Sequence, residues 1–260
     1  METEMRIGKS VVTKGLNANQ LKVIAIIAMT IDHVTCVIFP HYPTDWWIIL
    51  LYIIGRITAP TMWFFVAEGY HYTRDLKKYA TRLLIFAVVS HFAYNFAFGI
   101  PFIPFQTSVF NQTSVIWALF CGLMVLILQN SNPQHVKPWL KHLLITILYV
   151  VAFCADWSSI AALAIVHISN NRGDFKKQMQ GMVMYVAFYA AVYMLFINLV
   201  YGAIQMFVVL AIPFLKRYNG QRGNWKGMKW FFYLYYPLHL FLVGLLRIYL
   251  NGNTGVMIGG

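Results

Sequence analysis

Eight polar side chains that can carry charge or a directed hydrogen bond fall inside the apolar runs of this sequence: Asp32, His33, Arg56, His91, Asn95, Asp156, His239 and Arg247. An ionisable group at the centre of a bilayer costs roughly 2.5–3.5 kcal/mol on insertion scales, so such residues mark either a functional path or a buried pair. Histidine is the informative type, because it is neutral at little cost, titrates near neutrality and is the commonest general base. For any one histidine an interhelical hydrogen bond is the plainer alternative, but three on separate runs, His33, His91 and His239, point to a functional role for at least one. For Asp156, Arg56 and Arg247 the plainer alternative is mutual neutralisation between helices.

His33 has a second residue at helical spacing. Lys22 lies eleven positions earlier, which at about 100° per residue returns to nearly the same face, roughly 16.5 Å along the axis. A cation at the cytoplasmic mouth would then sit beneath a buried base. Asp32 is rotated about 100° from His33, so it is expected to turn to another helix, with Arg56 as partner. Glu68 shares a face with His71 and Tyr72, and Arg74, Lys77, Lys78 and Arg82 follow; this group could bind phosphates or form an ordinary interfacial belt. His91 and Asn95 share a face. Pro237 is expected to kink the last run before His239 and free a carbonyl near Tyr233.

The elements that must position these groups are membrane helices. Hydrophobic residues make up 60% of the 260 positions and charged ones 11%, with a mean hydropathy of +0.62, a composition foreign to soluble domains. Windows of about 20 apolar residues, enough to cross a hydrocarbon core of roughly 30 Å, recur along the chain. They give an all-α, polytopic bundle in a single domain over 1–260, with about nine spans near 19–39, 46–70, 79–98, 113–128, 138–155, 157–168, 181–196, 198–215 and 229–250. The region 138–168 is expected to form a short or re-entrant hairpin turning at Asp156-Trp157; one long span over 142–168 would break the charge pattern.

That pattern is the excess of Lys and Arg in cytoplasmic loops. Arg6, Lys9, Lys14 and Lys22 precede or open the first run; Arg74, Lys77, Lys78 and Arg82 lie in the second connection, Lys137 and Lys141 in the fourth, Arg172, Lys176 and Lys177 in the sixth, and Lys216, Arg217, Arg222, Lys226 and Lys229 in the eighth. The connections between carry none. The N-terminus is thus expected in the cytoplasm and the C-terminus outside, in the bacterial cytoplasmic membrane. The net charge of +12 is accounted for by inner-face loops against anionic lipid, with no nucleic-acid partner. The first run is too long and too polar at Asp32-His33 for a cleaved signal peptide. Cys36, Cys121 and Cys154 lack disulfide or metal spacing, and no metal is expected. The longest outer connection, Phe98 to Gln112, is expected to fold back over the outer surface.

Several blocks together resemble the TraX family of membrane proteins: Leu21-Lys22-x-Ile24-Ala25 through Met29-x-Ile31-Asp32-His33, Gly55-Arg56-x-x-x-Pro60, Glu68-Gly69-Tyr70-x-Tyr72-Thr73-Arg74, Tyr79-x-x-Arg82-Leu83, Asp156-Trp157 and Tyr235-Tyr236-Pro237-Leu238-His239. The sequence is more loosely similar to acyltransferase-3 type integral membrane acyltransferases, whose first motif usually begins with Arg where Lys22 stands. The resemblance implies acetyl transfer from cytoplasmic acetyl-CoA to a pilin, cell-wall or glycan acceptor at or across the membrane. His33 matches the essential histidine by position. The expected roles are then catalytic for His33, Asp32, Arg56 and His239, with Arg56 or His239 stabilising an oxyanion. Lys22, Arg74, Lys77, Lys78 and Arg82 would hold the acyl-CoA phosphates, and Glu68, His91, Asn95 and Asp156 the acceptor. A proton-coupled transporter and a non-catalytic component of a conjugation or secretion apparatus are the rival classes.

Overall fold

The computed structural model describes residues 15–131, 137–225 and 227–257. Arg6, Lys9, Lys14 and Lys226 lie outside the described residues, as does the side chain of Lys229. Each apolar run is helical. The order is α1 (Ala18–Ile38), α2 (Trp46–Gly55), α3 (Thr58–Tyr72), α4 (Leu76–Phe98), α5 (Val115–Asn130), α6 (Pro138–Ala152), α7 (Ser158–Asn170), α8 (Phe175–Phe196), α9 (Leu199–Gln205), a 3-10 turn (Met206–Ala211), α10 (Ile212–Lys216) and α11 (Met228–Asn251). Among the described residues, six segments are long and apolar enough to cross a membrane: Ala18–Ile38, Trp46–Tyr72, Leu76–Phe98, Phe175–Phe196, Leu199–Lys216 and Trp230–Asn251. Three shorter apolar helices, α5, α6 and α7, correspond to the remaining expected spans.

Local sequence explains where the helices begin and break. α1 opens with a reciprocal capping box, in which Asn17 Oδ1 accepts from Gln20 N at 3.0 Å and Gln20 Oε1 from Asn17 N at 2.9 Å. Asp75 and Asp174 cap α4 and α8 by accepting the Lys78 and Lys177 N–H groups, bonds that hold both carboxyls below their usual range. The second run splits at Arg56-Ile57 because Pro60 has no N–H for the Arg56 carbonyl and its ring crowds that oxygen. The backbone there tightens into Arg56 N to Ile53 O and Ile57 N to Ile54 O bonds of 3.2 Å. Residues 138–168 form two helices rather than one, separated by an elbow at which Trp157 and Ser158 adopt left-handed φ values of 62° and 50°. Residues 112–113 hold that elbow, with Gln112 N donating to Cys154 O at 2.7 Å and Asp156 N to Thr113 O at 2.9 Å. The connection between α4 and α5 therefore turns inward, with Gln112 and Asn111 buried.

The largest apolar cluster lies among α3, α5 and α7; a second joins α1, α4 and α11. Apolar side chains also cover the exterior, including Ile85, Val88 and Phe92 on α4 and Leu234, Leu238 and Leu242 on α11. An apolar outside around a small, polar-containing inside is the arrangement a lipid solvent selects.

Candidate active site

α1 supplies the axis of the site. Lys22, Ile26, Met29 and His33 lie along one side of it and line a single cavity of 430 Å³. Lys22 Nζ stands over the rings of Phe65 and Phe232, at 5.1 and 5.5 Å. Asp32 turns away from His33 and binds Arg56: Nη2 of the guanidinium donates to Oδ1. Arg56 also donates from Nη1 to Gln205 Oε1 at 2.8 Å and from Nε to Tyr52 O at 3.2 Å, and it lies 5.6 Å from the Trp157 ring. The helix break at Pro60 aims this fork at α1. Gly55 permits the approach, since a Cβ there would meet Asp32 Cγ at 2.7 Å.

His33 is buried, and its Nδ1 lies 2.9 Å from Nε2 of His239. The two rings are nearly parallel, at 8° with centroids 5.1 Å apart. His239 Nδ1 in turn donates to Tyr235 O, one helical turn back, at 3.0 Å. The carbonyl beside His239 is thus that of Tyr235; the bond uses the first turn of α11 before the histidine, which Pro237 interrupts.

Two cavities meet at this layer. The first runs from Asn19, Lys22, Tyr79, Arg82 and Arg222 to Asp32, His33, Arg56, Asp156 and Trp157. The second, of 80 Å³, shares those last five residues and continues past Tyr52, Tyr193 and Tyr201 to His41, Tyr42, Val256 and Met257. Their far ends belong to opposite ends of α1 and α11. Asp156 reaches both cavities from the α6–α7 elbow and makes no ion pair among the described residues.

The other expected site residues divide. Arg82 lines the first cavity; Arg74, Lys77 and Lys78 do not. Those three are exposed around the start of α4, where Lys78 pairs with Asp75 at 3.2 Å, and the cavity face of α4 is the Tyr79, Arg82, Leu83, Phe86, Ser90 side. Glu68 binds Arg172 at 3.0 Å outside both cavities, tying the ends of α3 and α7 and raising the guanidinium's proton affinity. His91 Nε2 donates to Phe102 O at 2.8 Å, and Asn95 Nδ2 to Pro101 O and Gln112 O; both fasten the α4–α5 connection and line neither cavity. His239 lines neither cavity. Arg247 meets no acid among the described residues: it donates to the Gly252, Thr254 and Phe96 carbonyls and so holds the segment 252–257 against α4.

Residues outside the expected set also enter. Arg222 and Asn19 reach the rim because the segments 16–19 and 217–222 are stapled by Leu16 N to Arg217 O, Ala18 N to Gln221 O and Asn19 N to Arg222 O bonds. Backbone groups make this contact, so no side-chain pattern in the sequence signals it. Gln205 on Arg56 and the tyrosines of the second cavity had none, since single polar residues on apolar helices do not announce their partners.

The fold and site define a polytopic helical membrane protein with a buried titratable centre approached from two sides. The TraX protein family matches residues 17–247, and the chain belongs to that family. It is 29% identical over 245 residues to a probable fimbrial assembly protein FimC, serogroup H1, of Dichelobacter nodosus, covering 90% of this chain and 97% of that one. No solved structure matches.

Proposed function

We propose that this protein is a membrane-embedded acyltransferase that moves an acetyl group from cytoplasmic acetyl-CoA to an envelope acceptor, with a pilin or fimbrial subunit as the first candidate and a cell-wall or glycan hydroxyl as the other. The observation that carries the reading is a single imidazole, His33, reached from two cavities whose mouths lie at opposite ends of α1. The rim of the larger one suits an anionic donor: Lys22, Arg82 and Arg222 line it, and Asn19 Nδ2 and Arg82 Nε are buried there with no hydrogen-bond partner among the described residues. In this reading the rim lies in the cytoplasm, the basic ends of the helices sit with it, and the α6–α7 hairpin turns back at the level of His33.

The acceptor occupies the second cavity. His33 takes the acceptor N–H or O–H proton as the new bond forms to the acyl carbon, the C–S bond breaks, and the proton passes to the departing thiolate. Arg56 uses three of its five N–H groups in the bonds described above, leaving two for the oxyanion. His239 has both ring nitrogens engaged, so Arg56 takes that role. The fimbrial assembly description of the relative favours a pilin acceptor.

A proton-coupled transporter would also place buried charge between two cavities. Purified protein in vesicles, given labelled acetyl-CoA and envelope fractions, separates the readings. Acyl transfer moves label to protein or glycan, and His33→Ala abolishes this with the helical content intact. A His33→Ala protein that transfers at the wild-type rate, or label that crosses the membrane still on CoA, overturns the proposal.

A further inference from the structure

Two hydrogen bonds fix the proton positions on two imidazoles. The Tyr235 carbonyl oxygen can only accept, so the His239 nitrogen 3.0 Å from it, Nδ1, carries the hydrogen. A neutral His239 then has a bare Nε2, which must accept from His33 Nδ1 at 2.9 Å. That places the hydrogen of a neutral His33 on Nδ1 and leaves Nε2 with its lone pair. No hydrogen bond is made to His33 Nε2 among the described residues, and it is not among the sealed, unpartnered atoms; His33 lines both cavities, whereas His239 lines neither.

We infer that His239 is a positioning residue which, through the Tyr235 carbonyl, holds His33 in its Nδ1–H tautomer and makes Nε2 the atom that takes the acceptor's proton. The catalytic part rests on the acyl-transfer reading; the tautomer does not. The His33 and His239 rings lie nearly parallel and edge to edge across this bond, at 8°, and the Phe98 ring stands against His33 at 5.3 Å and 82°; turning the His33 ring over would break the bond to His239. Tyr235 is itself anchored, its hydroxyl 2.7 Å from Thr30 Oγ1 on α1. After His33 accepts the proton, the imidazolium keeps its Nδ1–H bond to His239, so protonation requires no rearrangement.

The test begins on the wild-type protein with ¹⁵N-labelled histidine, His33 being assigned by its loss in His33→Ala. A protonated-type Nδ1 and a bare-type Nε2 on His33 are expected; the reverse pattern, or a fast mixture of both, overturns the inference whether or not the protein transfers acyl groups. In His239→Phe the fixed tautomer should be lost, and kcat for label transfer should fall by up to the roughly 10²–10⁴-fold that a positioned general base contributes, with little change in KM for acetyl-CoA. His239→Gln, whose side-chain carbonyl can accept from Nδ1, should recover most of both signals. A His239→Phe protein with the wild-type tautomer and kcat refutes the positioning role. Expected spectra in a protein that transfers nothing would leave the tautomer and the positioning by His239 standing and would remove the acyl-transfer reading together with the catalytic part of this inference.

Discussion

At the scale of single residues, Asp32 and His33 are neighbours in sequence that serve different partners, because one step along a helix turns a side chain by about 100°. Asp32 looks to Arg56 on the next helix, and the pair is largely buried, with side-chain exposures of 20% and 12%. Removing one member of such a pair leaves an uncompensated charge and costs about 3–5 kcal/mol, whereas replacing both costs less. Arg56→Met should therefore lower the thermal midpoint in detergent markedly, and Asp32→Asn with Arg56→Met should regain part of it. A double variant less stable than Arg56→Met alone would show that the carboxylate is held by groups other than the guanidinium. The Lys22–His33 relation was legible in the sequence because it lies within one helix, where periodicity fixes the face. The His33–His239 bond, 206 positions apart, was not, because no local pattern specifies which turn of α11 faces α1. Arg222 was hidden for a similar reason: its place at the rim depends on backbone bonds to residues 16–19, which any side chains could have made.

At the scale of elements, the apolar runs announced the helices, while their interruptions needed stereochemistry. The run over 46–70 forms one membrane-length segment, as expected, but Pro60 breaks its helix at Arg56-Ile57 and thereby sets the direction of the Arg56 fork. Pro60→Ala restores an N–H for the Arg56 carbonyl and removes the ring that crowds it. α2 and α3 should then join into one helix, raising or preserving the thermal midpoint while swinging Arg56 from Asp32 and Gln205. A displacement of about 1 Å at a reacting group costs on the order of 10²-fold in rate, so label transfer should fall by that order in a protein at least as stable as wild type. Full activity in Pro60→Ala would mean that Arg56 is aimed by its partners rather than by the break. The α6–α7 elbow is the second interruption. Its position at Asp156-Trp157 could be read from the sequence, but its attachment to residues 112–113 could not, since that contact is made through backbone groups.

At the scale of the whole molecule, the two cavities give the protein a direction. The rim of Lys22, Arg82 and Arg222 lies at the end where α1, α4 and α11 begin, and the mouth formed by His41, Tyr42 and Val256 lies where α1 and α11 finish. Transfer from a cytoplasmic donor requires the first end to face the cytoplasm, which is also what the charge asymmetry of the loops demands. α4 links the two ends directly: from exposed Lys78, in its first turn, to Phe98 it rises about 30 Å toward the connection holding Ile103, which is 67% exposed. In a background with Cys36, Cys121 and Cys154 replaced by alanine, Ile103→Cys should react with a membrane-impermeant maleimide in intact cells. Lys78→Cys should react only after the cells are opened. The reverse pattern would put the basic rim on the outer face, away from any cytoplasmic acyl donor, and the direction of transfer proposed for this site would fail even if every residue contact within it were correct.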